Sequence, residues 1–96
     1  MYNINWTAEA LADFEQNIYY LEEAFTEKEI ITFINKTQQV INIIATNPKS
    51  FKQTKYKNTR SVPIMPQITL FYKIIDNENI DLLRFWNNYK DIINLF

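Results

Sequence analysis

The sequence predicts an α+β fold: an N-terminal strand, then an antiparallel two-helix hairpin packed on one face of a mostly antiparallel sheet. Three observations carry this. The first six residues alternate apolar and polar, the next forty repeat apolar residues at helical spacing, and the second half returns to extended, β-branched and aromatic runs. Strand, helix, helix and then a run of strands in a meander give one sheet with both helices on one side, leaving the other side for a ligand or partner.

Tyr2, Ile4 and Trp6 alternate with Asn3 and Asn5, which predicts a half-buried first strand. Thr7 offers an N-cap oxygen to the helix that follows. Leu11, Phe14, Ile18, Leu21 and Phe25 recur at spacings of three and four and predict its inward stripe. Glu9, Asp13, Glu15, Glu22 and Glu23 then read as its solvated face. Thr26 and Glu29 have the spacing of a capping box, with Phe25 and Ile30 placed for a hydrophobic staple, so a second helix starts there. Its inward residues are expected to be Ile30, Phe33 or Ile34, Thr37, Ile41 and Ile44. Asn47-Pro48 ends it, because proline disfavours helical geometry in the residue before it.

Beyond a lysine-rich connector, residues 60–65 predict a strand that Pro63 makes irregular or sends to an edge. Residues 69–75 predict a stronger strand, and Asp76-Asn77-Glu78-Asn79 a turn. Residues 80–86 return as a hairpin strand with apolar side chains on both faces, expected inside the sheet. Residues 92–96 are expected to pack back as a short tail. Leu11, Phe14, Ile18, Leu21, Ile34, Ile41, Leu70 and Leu83 are expected to share one core. Glycine is absent, so asparagine and aspartate are left to supply the backbone turns.

With 96 residues, 47% of them hydrophobic, the chain is expected to be a single domain over residues 1–96 with an adequate core. It has no cysteine, which excludes disulfides and thiolate metal sites and fits a reducing compartment. The start resembles no signal peptide and no stretch is long and apolar enough to span a bilayer, so a soluble, cytoplasmic protein is expected. The net charge of −1 hides a division. Residues 1–46 carry seven acids and two bases, residues 47–96 eight bases and four acids. Lys49, Lys52, Lys55, Lys57 and Arg60 form a run with no acid inside it, which suits phosphates or an acidic partner, or is simply a solvated loop.

The chain is similar to the RelE/ParE superfamily of small toxins from bacterial type II toxin–antitoxin modules. Tyr2-Asn3-Ile4-Asn5-Trp6-Thr7 followed by Ala10-Leu11-Ala12-Asp13 resembles the family's first strand and helix start. Ile68-Thr69-Leu70-Phe71-Tyr72-Lys73-Ile74 resembles its central strand, and Ile80-Asp81-Leu82-Leu83-Arg84-Phe85-Trp86-Asn87-Asn88 the ending common in its plasmid-stabilisation branch. The resemblance implies a toxin neutralised by a cognate antitoxin. Ribonuclease members cut mRNA on the ribosome, whereas the ParE branch poisons DNA gyrase.

Histidine and cysteine are both absent, so neither Ser50 nor Ser61 has an imidazole to activate it, and no carboxylate spacing suggests a metal; no cofactor is expected. RNA cleavage can dispense with both, since the substrate supplies its own 2′-hydroxyl and needs only proton transfer and cations around the phosphorane. The candidate catalytic set is Arg60, Arg84, Tyr89 and Lys90, the last two standing where ribonuclease members place their final catalytic residues. Lys52, Lys55 and Lys57 are the candidate phosphate- or partner-binding residues. Arg84 has two readings, a phosphate-holding cation or a strand arginine paired with Asp81, Glu78 or a tail carboxylate. The sequence departs from the ribonuclease pattern at Ile68-Thr69, where a His-Arg or Tyr-Arg pair is usual, and at Tyr89, where the plasmid-stabilisation branch has arginine. The functional expectation is a toxin that cleaves ribosome-bound mRNA, with a ParE-type non-catalytic inhibitor of DNA gyrase as the alternative.

Overall fold

The computed structural model describes residues 1–90 and 95–96. Its elements run β1 (Asn3–Trp6), α1 (Ala8–Ala24), α2 (Glu27–Thr46), β2 (Lys52–Gln53), β3 (Thr59–Met65), β4 (Ile68–Ile74) and β5 (Asn79–Asn87). The five strands form one sheet in the order β1-β5-β4-β3-β2. β1 runs parallel to β5, and the other three pairs are antiparallel. The strand–helix–helix–strands order is as the periodicity predicts, and β5 lies inside the sheet.

Local chemistry sets the helix ends. The Thr7 hydroxyl accepts the Ala10 N–H at 3.1 Å and itself donates to the Leu82 carbonyl at 2.7 Å, so one side chain starts α1 and anchors it to β5. The Thr26 N–H donates to the Glu29 carboxylate at 3.0 Å, closing the box that starts α2. Asn58, at φ 54°, is a non-glycine residue in the left-handed region, the role expected of asparagine in a chain without glycine.

The main core lies between helices and sheet, with Leu21, Phe33, Ile44, Leu70, Tyr72, Leu82 and Phe85 almost completely buried. Phe14 is edge-on to Trp6 and Phe85 and stacked on Phe33, tying both helices to β1 and β5. Three expected core residues are placed otherwise. Leu11 is 50% and Ile34 43% exposed, while Leu83 joins a second, smaller cluster with Phe71, Trp86 and Leu95 on the opposite face of the sheet.

The buried residues of α1 are Ala10, Asp13, Asn17 and Leu21, with Phe14 and Ile18 of the apolar stripe packed beside them, so the inward face is turned away from Leu11 by about one residue. The polar members have a specific reason to face inward. β1 pairs with β5 only as far as Leu82, and α1 crosses the edge of β5 beyond that point. There the Asp13 carboxylate accepts the Phe85 N–H at 3.2 Å, and the Asn17 amide donates to the Phe85 carbonyl at 2.9 Å. Two helix side chains thereby continue the strand ladder where β1 stops, leaving no bare backbone at that position.

Two irregularities shape the rest. Phe71 pairs with Arg84 and Tyr72 with Leu82, so Leu83 is an extra residue in β5. This bulge explains the apolar residues on both alternation faces: Leu82 and Phe85 reach the helical side, while Leu83 and Trp86 reach the open side. A second shift between Pro63 and Met65 falls where β3 has run past the two-residue β2, as expected of a strand proline. Leu95 is buried on the open face and the Phe96 ring packs edge-on to Tyr56 and Phe71; residues 92–94 of the expected tail lie outside the described residues.

Candidate functional site

The open face of the sheet carries a cleft of about 540 Å³. Its floor is apolar, from Tyr56, Leu83, Leu95 and Phe96, and Lys57, Lys73, Arg84 and Glu9 stand around it. Strand alternation explains the membership. Lys73 pairs with Thr59 across the β3–β4 ladder, and both lie opposite the helical side that Leu70 and Tyr72 occupy. Lys52 pairs with Ser61 in the same alternation and so belongs to this face, and Lys55 lies 5.4 Å over the Tyr56 ring at its margin. All three connector lysines are exposed.

Arg84 is committed to the fold. Its Nε donates to Asp13 Oδ2 at 2.6 Å, its Nη2 to Asp13 Oδ1 at 3.0 Å and its Nη1 to the Leu95 carbonyl at 2.8 Å. The guanidinium also lies 5.1 Å from the Trp86 ring centroid. The hydrogen bonds to Asp13, strengthened by the carboxylate's charge, raise the Arg84 pKa further, so it stays a cation throughout. The counter-ion is thus Asp13 on α1, and neither Asp81 nor Glu78; the tail carboxylate Asp91 lies outside the described residues. Among the described residues this is the one ion pair within 4.0 Å.

The other expected catalytic residues lie elsewhere. Arg60 pairs with Tyr72 across the ladder and faces the helical side, so it and Arg84 are on opposite faces of the sheet. Its Nη1 donates to the carbonyls of Phe51 at 2.8 Å and Lys49 at 3.3 Å. Tyr89 is 80% exposed just past β5, and Lys90 borders a smaller groove between α1 and the end of β5 with Tyr19, Tyr20 and Trp86. Tyr72 is buried, its hydroxyl donating to the Pro48 carbonyl at 2.6 Å; burial pushes its pKa up to about 12, against a smaller lowering by Arg60. It therefore holds its proton and takes no part in acid–base chemistry near neutrality. The four residues do not converge on one point, and the open face presents lysines over an apolar floor. Sequence reading missed Lys73 and Glu9 as members of this cleft. The position of Lys73, one residue from core Tyr72 in a strand, was the signal for it.

Comparison with known proteins identifies the family and the fold. Residues 4–91 match the family described as ParE toxin of type II toxin–antitoxin system, parDE. The fold resembles that of the chromosomal ParDE toxin–antitoxin system from P. aeruginosa, with a TM-score of 0.73 and 12% identity over 91% of this chain and 96% of that one. A YoeB dimer from Staphylococcus aureus gives a TM-score of 0.62 with 16% identity over 88% and 94% of the two chains. The E. coli DinJ–YafQ complex gives 0.61 with 13% identity over 93% and 96%. No curated protein sequence matches. Among the described residues no helix is long and apolar enough to cross a membrane. With a family match over nearly its whole length and the same two helices on the same sheet, the chain belongs to the ParE toxin family of type II toxin–antitoxin systems, within the RelE/ParE superfamily.

Proposed function

We propose that this toxin acts by binding, as a non-catalytic inhibitor of DNA gyrase, and that its cognate antitoxin neutralises it by covering the open face of the sheet. The observation that carries the first part is the commitment of Arg84 to Asp13 and Leu95. An RNA-cleaving site needs a cation free to meet the phosphorane, with a proton donor and acceptor beside it. Here Arg84 is already paired, Arg60 lies on the other face, and Tyr89 projects into solvent. The family match to ParE toxins points the same way.

The second part follows from the cleft's character. An apolar floor ringed by Lys57 and Lys73, with Lys52 and Lys55 close by, suits a segment that buries apolar side chains and meets the lysines with acids. Relatives of the same fold are known as complexes, the ParDE system and the DinJ–YafQ pair among them. The rival reading, cleavage of ribosome-bound mRNA in the cytoplasm, requires Arg84 to leave Asp13 and take up a phosphate.

Expression in growing cells separates the two. On the binding reading growth stops while mRNA remains intact, plasmid supercoiling falls, and Arg84→Met still inhibits to the extent that it folds. Growth arrest with cut mRNA, abolished in a folded Arg84→Met variant, would restore the ribonuclease reading.

A further inference from the structure

On the helical side of the sheet, where the chain leaves α2, a separate cleft of about 430 Å³ opens beside Arg60 and Lys49. Arg60 is held there for a reason unrelated to the open face. Its Nη1 is spent on the carbonyls of Lys49 and Phe51, which fixes the plane of the guanidinium. Nε and Nη2 make no hydrogen bond or ion pair among the described residues. The Nε–Nη2 edge is the side of an arginine that meets two oxygens of one anion at once.

Lys49 lines the same cleft and has no carboxylate within 4.0 Å among the described residues. The acid nearest in kind, Asp76, also lines it, but its carboxylate closes the β4–β5 turn. It accepts the N–H groups of Glu78 and Asn79 at 2.8 Å each and the Asn79 side-chain amide at 3.1 Å. Those bonds keep Asp76 ionised and turned into its own loop. Gln53 and Asn58 add neutral amide donors to the wall.

We propose that this cleft is a phosphate-binding site, distinct from the open face, in which the Arg60 fork and the Lys49 ammonium hold the oxygens of a phosphate ester. Two cations match a dianion better than a single carboxylate charge. The surrounding amides offer a third oxygen a partner that a carboxylate does not need. A free mononucleotide and the 5′-phosphorylated end of a nucleic-acid strand present this same group.

The test is a calorimetric and NMR titration of the whole chain with inorganic phosphate, against sodium acetate at matched ionic strength, and with adenosine 5′-monophosphate and a 5′-phosphorylated single-stranded tetranucleotide. Phosphate should saturate, with amide shifts at Gln53 and Asn58, and acetate should not. Arg60→Lys keeps the charge but loses the fork, and should weaken binding about tenfold, the equivalent of one charge-assisted pair. Lys49→Gln alters no contact that holds the fold and should weaken it several-fold, with an unchanged melting temperature. Tighter binding of the tetranucleotide than of the monophosphate identifies a strand as the natural source, and equal binding a mononucleotide. Absence of saturation by phosphate, equal binding of acetate, or unaltered affinity in Lys49→Gln overturns the proposal.

Discussion

Replacing Asp13 by alanine should be among the most damaging single changes in this protein, although the residue sits in what looks like an acidic helix face. Its carboxylate takes two N–H bonds from Arg84, at 2.6 and 3.0 Å, and the Phe85 backbone N–H at 3.2 Å. Without it the guanidinium keeps only the Leu95 carbonyl among these partners, and a buried backbone donor is left bare. Breaking a fully buried pair costs about 3–5 kcal/mol. The Arg84 side chain is 23% exposed, so water recovers part of this, and we expect about 2–4 kcal/mol. That is a large share of the roughly 5–14 kcal/mol usual for a domain of this size. Urea unfolding at constant m-value measures it. A double-mutant cycle with Arg84→Met should give a coupling of about 1.5–3 kcal/mol. A loss below about 1 kcal/mol for Asp13→Ala, or no coupling, would refute the claim that Arg84 is a structural cation.

Phe14→Ala removes a ring in contact with Trp6, Phe33 and Phe85 and should cost about 3–5 kcal/mol, whereas Leu11→Ala, at a half-exposed position, should stay within about 0.5 kcal/mol. Equal losses in urea melts would put the α1 face where the apolar stripe had it. Tyr72 keeps its proton up to about pH 12 when folded, against an ordinary value of 10.0. Its contribution is therefore complete below pH 10 and falls away as pH rises to 12, by at most about 3 kcal/mol. Thermal melts across that range should flatten in Tyr72→Phe, and an identical alkaline slope would contradict the burial argument. Charge reversal at Lys52 and Lys57 together should weaken the antitoxin complex and reduce its salt dependence, measured by calorimetry at several ionic strengths. An unchanged affinity and slope would leave both as solvated side chains.

The helix boundaries were legible because they rest on local chemistry: Thr7, the Thr26–Glu29 box and Asn47-Pro48 each act within a few residues. The inward face of α1 was not, because Asp13 and Asn17 turn inward to complete a ladder on β5, about seventy residues away in sequence. Polarity in a stripe normally marks solvent, and only the shortness of β1 reverses that here. The same distance hid the partner of Arg84, for which neighbours in sequence were the natural candidates. The β5 bulge was visible only as its consequence, apolar residues on both faces. β2, two residues long, is too short to leave a period. The division of the basic connector was within reach: Arg60 shares the alternation of core Val62 and Ile64, which sends it to the helical side away from the lysines.

Purified protein in two parallel reactions separates gyrase binding from RNA cleavage: supercoiling of relaxed plasmid by DNA gyrase, and cleavage of mRNA on translating ribosomes. A toxin that acts by binding gyrase inhibits supercoiling, leaves mRNA intact, and is relieved of its effect by stoichiometric antitoxin. Cleaved mRNA with undiminished supercoiling would contradict that reading.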